Sequence, residues 1–214
     1  MTAVGSNHKL NAQQYLSLAL TKRANPIFSH YLDGRKVLDV GCGTGEFLKR
    51  DPARFTGIDV NPNLVAHCAS RNLKAFEMSA LALGFPDASF EAAHASQIVE
   101  HFQPSDAATL VSELVRVVIP GGAVVLTTPG TRNVWNTFSH VRPYPPEAFA
   151  KLLGSRTEEY LHAKTIPASL EAAYGFRRYV EGMPALQALS NAFDLLVPTR
   201  DPQGWTIVLR KNQG

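Results

Sequence analysis

The chain has 214 residues, of which 45% are hydrophobic and 18% charged, and its formal net charge is +3. That length suits one domain with a substantial core, and the composition excludes wholesale disorder. The basic residues are scattered and give no phosphate track for a nucleic acid, and no apolar run is long enough to span a bilayer.

Residues 8–32 read as an N-terminal helix. From 37 to 127 short apolar runs alternate with helical stretches. KVLDV is a strand and TGEFLKRD a helix; FTGIDV is a strand and PNLVAHCASRN a helix; LKAFEM and SFEAAHA are strands. A helix over 104–118 follows, with Leu110, Val111, Leu114, Val115 and Val118 on one face and Ser105 as N-cap. Pro120-Gly121-Gly122 stops it, and GAVVLTT is the next strand. This alternation predicts an α/β fold built from βαβ units around a parallel sheet.

Beyond 128 the pattern changes. TPGTRNVWNTFSHVRPYPP is long, aromatic, proline-rich and aperiodic, which marks a functional loop. PEAFAKLL reads as a helix and EEYLHAKTI as a strand. Residues 168–197 read as helical, with Leu186, Leu189, Ala192, Phe193 and Leu196 at helical spacing, and GWTIVLRK is the closing strand.

Cys42 and Cys68 are the two cysteines; they form neither a disulfide framework nor a metal-ligand pattern, so no metal is expected. They suit a reducing compartment. The N-terminus lacks the continuous apolar core of a leader, so a cytoplasmic location is expected.

The stretch VLDVGCGTGEFL carries the strongest chemical signal. Gly41, Gly43 and Gly45 follow a buried strand, where backbone without side chains lets a ligand come close. The third glycine arrives one residue earlier than in the dinucleotide fingerprint, and the Gly-Lys-Ser/Thr ending of a phosphate loop is missing. Asp59 ends the next strand, where a carboxylate can accept both hydroxyls of a ribose at roughly 1.5–3 kcal/mol for each charged hydrogen bond. Together these features point to a nucleoside cofactor without a pyrophosphate.

VLDVGCGTGEFL, GIDVNPNLV, LGFPDASFEAAHASQIVEHF and ELVRVVIPGGAVVLTTPG, in this order, resemble class I S-adenosylmethionine-dependent methyltransferases of the small-molecule, type 11-like group. The resemblance covers about 35–153. It implies a Rossmann-like open sheet, mostly parallel with an antiparallel last strand and helices on both faces. It also implies an N-terminal helical cap over 1–34, a methyltransferase core formed by 35–165 and 203–214, and a helical insertion over 166–202 placed as a substrate lid. S-adenosyl-L-methionine is the implied cofactor. On the family pattern Asp39, Gly41, Cys42, Gly43 and Gly45 line its methionyl and ribose part. Asp59 holds the ribose hydroxyls and Val60 meets the adenine face. Ser79, Ala80 and Leu81 reach the adenine edge, and Ser96 and Gln97 flank the sulfonium. Ser79 departs from the family pattern, in which many members carry an aspartate that meets the adenine amino group.

The expected acceptor is a small molecule, with O-methylation preferred over other atoms. RNA or protein as acceptor is the alternative within the class, although no Asn-Pro-Pro-Tyr motif and no Pro-Cys pair is present. A non-catalytic protein that only binds the cofactor is the alternative outside it. A histidine titrates near neutrality and can take a proton from a hydroxyl. His140, in the aperiodic loop, is the first candidate base and His101 the second; His140 can instead order its turn, and His101 can position the cofactor. Tyr15, Trp135, Arg142, Tyr144 and Arg178 are candidate substrate contacts. For Trp135 and Tyr144 the competing role is core packing, and for Arg142 it is an internal salt bridge.

Overall fold

The computed structural model describes residues 25–154, 165–176 and 202–213. Val37–Val40 (β1) is buried at every position, as a strand covered on both faces must be. Phe55–Asp59 (β2) and Phe90–Ser96 (β4) flank it in parallel register, and Ala75–Glu77 (β3) lies parallel to β2. Val118–Pro129 (β5) runs parallel to β4. Ala168–Phe176 (β6) and Gly204–Lys211 (β7) complete one seven-stranded sheet in the order β3-β2-β1-β4-β5-β7-β6. β7 is antiparallel to both of its neighbours, so it alone runs against the sheet.

Alternate residues of the strands feed two apolar clusters, one on each face. Leu38, Val40, Val124, Leu126, Ile207 and Leu209 join one; Val37, Ala123, Val125 and Val208 join the other. Helix Pro26–Tyr31 (α1) and helix Pro62–Ser70 (α2) cover the second cluster through Ile27, Tyr31 and Cys68. Helix Pro104–Val117 (α3) and helix Pro146–Leu152 (α4) cover the first. The chain passes from β1 leftward to β3 and then starts again at β4 on the other side of β1. The crevice at the carboxyl ends of β1 and β4 is therefore the switch point at which such sheets bind ligands.

The apolar stripe expected on α3 is buried from Ala107 to Val117. Its cap differs from expectation: Gln103 is the N-cap and Pro104 the first helical residue, which leaves Ser105 inside the first turn. TGEFLKRD forms only a 3-10 turn at Leu48–Arg50.

A larger correction concerns 168–176, expected as helix and found as β6. Its pairing with β7 shifts between Leu170 and Ala172. Ala168 and Leu170 therefore pack with the first cluster, and Ala172 and Tyr174 with the second. A bulge of this kind breaks the alternation by which a strand is recognised. Residues 177–201, with the rest of the expected helical lid, lie outside the described residues, as does nearly all of EEYLHAKTI and the cap before residue 25. Among the described residues no helix is long and apolar enough to cross a membrane.

One ion-pair network locks the 79–89 loop, which borders the crevice, to α3. Arg116 donates to Glu113 Oε1 and Oε2 at 2.7 and 2.9 Å, to the carbonyls of Leu83 and Phe85, both at 2.8 Å, and to Asp87. Glu113 Oε2 also accepts the Leu83 N–H at 2.7 Å. The Arg116 guanidinium beside it holds the Glu113 carboxyl below the usual carboxylate range. A carboxyl with a depressed folded pKa stabilises the fold above its unfolded pKa and loses that contribution as the pH falls through the folded value. Glu113→Ala is expected to cost about 1.5–3 kcal/mol at neutral pH, the usual loss for hydrogen bonds to a charged group. In denaturant titrations the gap to the parent protein should narrow towards pH 3; a gap of equal size at both pH values would show that the charge is unimportant.

Candidate active site

The turn after β1 is shaped by three glycines in the left-handed region, with φ of +73° at Gly41, +53° at Gly43 and +79° at Gly45. They serve different ends. A Cβ on Gly45 would lie 2.7 Å from Leu73 Cδ1 and 2.9 Å from Cys68 Sγ, and one on Gly41 would lie 2.9 Å from Ile98 Cδ1. A Cβ on Gly43 would meet nothing within 4 Å, so this is where the backbone is open to a ligand. Gly41 and Cys42 both donate to the Ile58 carbonyl at 2.9 Å, anchoring the turn to β2.

Asp59 closes the arrangement. Its Oδ2 accepts the Gly43 N–H at 3.0 Å and its Oδ1 the Asn61 N–H at 2.9 Å. The half-buried carboxylate keeps further lone pairs for two ribose hydroxyls. Val60, next to it, is 74% exposed, an apolar side chain left uncovered where an adenine ring would lie. Ser79 is exposed, and its Oγ accepts the Leu81 N–H at 3.2 Å; Ala80 and Leu81 are half-buried beside it. Across the crevice Ser96 and Gln97 are exposed at the end of β4. Gln97 has φ +53°, a costly conformation for a side-chain-bearing residue, and is held there by its N–H to the Thr127 carbonyl at 2.9 Å.

Two residues expected to line the cofactor have buried side chains. Asp39 is only 3% exposed, and its Oδ1 lies 2.7 Å from His94 Nδ1. His94 is stacked on Phe47 at 3.9 Å, so the pair belongs to the packing under the turn. Cys42 points into the core against Gly57, where an added Cβ would lie 2.7 Å from its Sγ. Burial pushes its thiol far above the ordinary range, and only its backbone faces the turn.

The two candidate bases converge. Val99–His101 forms a 3-10 turn just past β4, and His101 and His140 meet edge to face with ring centroids 4.7 Å apart. His140, with a side chain only 8% exposed, places Nε2 3.9 Å from Glu100 Oε1. Its Nδ1 lies 2.8 Å from the Val134 carbonyl, and His101 Nδ1 lies 3.2 Å from the Ser139 carbonyl. A carbonyl can only accept, so both Nδ1 atoms carry hydrogens and His140 Nε2 offers a lone pair. Glu100 is a functional candidate that sequence reasoning missed. It is fully buried, neither of its oxygens has a hydrogen-bond partner among the described residues, and burial pushes its carboxyl up to about 7.

Residues 38–126 match the family model described as a methyltransferase domain. A SAM-dependent methyltransferase from Archaeoglobus fulgidus shares the fold with a TM-score of 0.63 and 22% identity, over 92% of this chain and 94% of that one. Residues 38–126 are thus similar to a methyltransferase domain, and the chain has the fold of that solved methyltransferase. Among curated proteins, the ubiquinone biosynthesis O-methyltransferase of Paracidovorax citrulli is 34% identical over 116 residues, which are 45% of this chain and 44% of that one. The tRNA (carboxymethyluridine(34)-5-O)-methyltransferase of Arabidopsis thaliana is 31% identical over 96 residues, 44% of this chain and 24% of that one. The chain spans about half the length of the first curated relatives it matches.

The aromatic loop residues separate. Trp135, in the 3-10 turn Asn133–Asn136, is 62% exposed and remains available to an acceptor. Tyr144 is buried in the core, with its hydroxyl donating to the Phe102 carbonyl at 2.9 Å, so it is packing and not a pocket wall. Arg142 is exposed, with its guanidinium 5.3 Å from the centre of the Tyr144 ring. Tyr15 and Arg178 lie outside the described residues.

Asp59→Ala removes both the clamp on the glycine turn and the carboxylate expected to accept the ribose hydroxyls. It is expected to weaken S-adenosylhomocysteine binding by about tenfold or more, the worth of one charged hydrogen bond. Calorimetric titration checks this, and an unchanged dissociation constant would refute the ribose role.

Proposed function

We propose that the methyltransferase domain moves the methyl group of S-adenosylmethionine onto a hydroxyl of a small-molecule acceptor. The open backbone at Gly43, the carboxylate of Asp59 and the uncovered Val60 fit an adenosine without a pyrophosphate. Bound S-adenosylmethionine supplies a methyl group already activated on a sulfonium. The chain then has to align the acceptor, exclude water and remove one proton from the hydroxyl. Alignment of this kind contributes roughly 7–11 kcal/mol to lowering a barrier.

The observation that carries the choice of oxygen is the Glu100–His101–His140 cluster. It sits on the turn that follows Ile98, the residue packed against Gly41. A carboxylate or amine acceptor needs no such centre, whereas a hydroxyl does. His140 Nε2 takes the proton, and the Glu100 carboxylate at 3.9 Å favours the imidazolium that results. The names of the relatives from Paracidovorax citrulli and Arabidopsis thaliana both state transfer to oxygen. The absence of a basic track in the sequence favours a small acceptor over RNA.

His140→Ala is expected to lower turnover by about 10²–10⁴-fold, the usual worth of a positioned acid or base, with S-adenosylhomocysteine affinity unchanged. A variant with full activity would remove His140 from the reaction. The class of acceptor is tested with methyl-labelled donor and a fractionated cell extract. Label in the small-molecule fraction is the expected result, label in RNA or protein would overturn the acceptor assignment, and label in no fraction would reduce the domain to a binder.

A further inference from the structure

Glu100 presents a buried carboxyl whose two oxygens have no hydrogen-bond partner among the described residues, directly beside two imidazoles. A carboxyl buried in this state either stays neutral, the direction in which burial pushes it, or is held as the carboxylate by a metal ion. The histidines are arranged for the second case. Each anchors Nδ1 on a backbone carbonyl, Val134 for His140 and Ser139 for His101. Such an anchor fixes the ring and leaves Nε2 as a lone-pair donor, which is how metal-ligating histidines are held. One ligand atom from each of Glu100, His101 and His140 lies within 4.8 Å of the others. Around a tetrahedral ion, ligands about 2.0–2.2 Å from the metal lie roughly 3.3–3.6 Å apart. His140 Nε2 and Glu100 Oε1 are 3.9 Å apart, so the trio has to contract by about 1 Å at its widest when an ion enters, and the exposed His101 ring has room to do so by loosening its 3.2 Å contact with the Ser139 carbonyl.

We propose that Glu100, His101 and His140 bind one divalent transition-metal ion of the zinc or manganese type, with a coordination position left for the acceptor's oxygen. Two imidazoles and one carboxylate suit such ions, whereas magnesium and calcium prefer all-oxygen sites. This rests on the reading of the cluster as the centre that removes the acceptor's proton. With the ion in place the His140 Nε2 lone pair is engaged in coordination. A hydroxyl bound there would be acidified by the ion, which would take over the role given to His140 as base, and its proton would pass to water. The sequence hides the site because Glu100-His101 and His140 come from separate segments and show no ligand spacing.

The test uses the full chain stripped with EDTA and titrated calorimetrically with Zn²⁺, Mn²⁺ and Mg²⁺, with Co²⁺ followed by visible absorption. One Zn²⁺ or Mn²⁺ per chain is expected, with Co²⁺ bands in the visible and no Mg²⁺ binding. Affinity should fall at least 10–100-fold, the cost of disturbing even an outer partner of a ligand, in Glu100→Gln and in His101→Gln. The His101 variant alters an exposed side chain and so keeps the test valid if Glu100→Gln fails to fold. His67→Gln, at an exposed histidine of α2, should bind as the parent does. Absence of saturable binding, undiminished binding in His101→Gln, or loss of binding in His67→Gln would overturn the site. If stripped protein binds no ion but still transfers label, the ion is refuted and methyl transfer stands. If an ion binds and no label moves under any condition, methyl transfer is refuted and the site stands.

Discussion

The donor side of the domain depends on one carboxylate. Asp59 ties the middle of the glycine turn and the approach to α2 to the end of β2 through two backbone N–H groups. Without it, three residues at positive φ would be free to rearrange, because glycines carry little conformational preference of their own. The turn is supported from below by the Ile58 carbonyl and by size: Cys42 fills the space over Gly57, and Leu73 and Cys68 crowd Gly45. Only above Gly43 is there room. The turn is thus set before a ligand arrives, so little of the binding energy is spent on ordering it.

Two buried carboxylates near this turn have opposite surroundings, and the contrast separates architecture from chemistry. Asp39 has an imidazole at 2.7 Å, and that imidazole is sandwiched into an aromatic group with Phe47 and Phe28. Its polarity is met locally, so it acts as a strut under the turn. Among the described residues Glu100 has no hydrogen-bond partner for either oxygen. A leucine there would cost the fold nothing in desolvation, so an unpaired acid at that place makes sense as part of a site completed by something else.

Much of this was legible in the sequence, and the misses have physical causes. The alternation between 37 and 127 led to the parallel strands because each buried strand is bracketed by helix or turn signals. Asp59, Val60 and the glycines were legible because strand-end position and missing side chains are sequence properties. Strand β6 was not, since the irregularity at Glu171 moves its buried residues from one face of the sheet to the other. Tyr144 was ambiguous because an aromatic in an aperiodic loop looks the same whether it lines a pocket or fills a core. The unmet state of Glu100 was invisible, since a missing partner is a property of three-dimensional packing and not of any spacing.

The loop after β5 shows why donor and acceptor sides are coupled. Its residues make few regular hydrogen bonds of their own, yet the 3-10 turn at Val99–His101 holds it at several points. The Glu100 carbonyl accepts the Val141 N–H at 2.8 Å, His101 reaches the Ser139 carbonyl, and the adjoining Phe102 carbonyl accepts the Tyr144 hydroxyl. The same turn follows directly from Gln97 and Ile98, which border the glycine turn. One short element therefore sets the distance between the glycine turn and the loop that carries the exposed Trp135. Because a displacement of about 1 Å in such a geometry can cost a hundredfold in rate, the constraint on Val99–His101 is as much one of position as of chemistry.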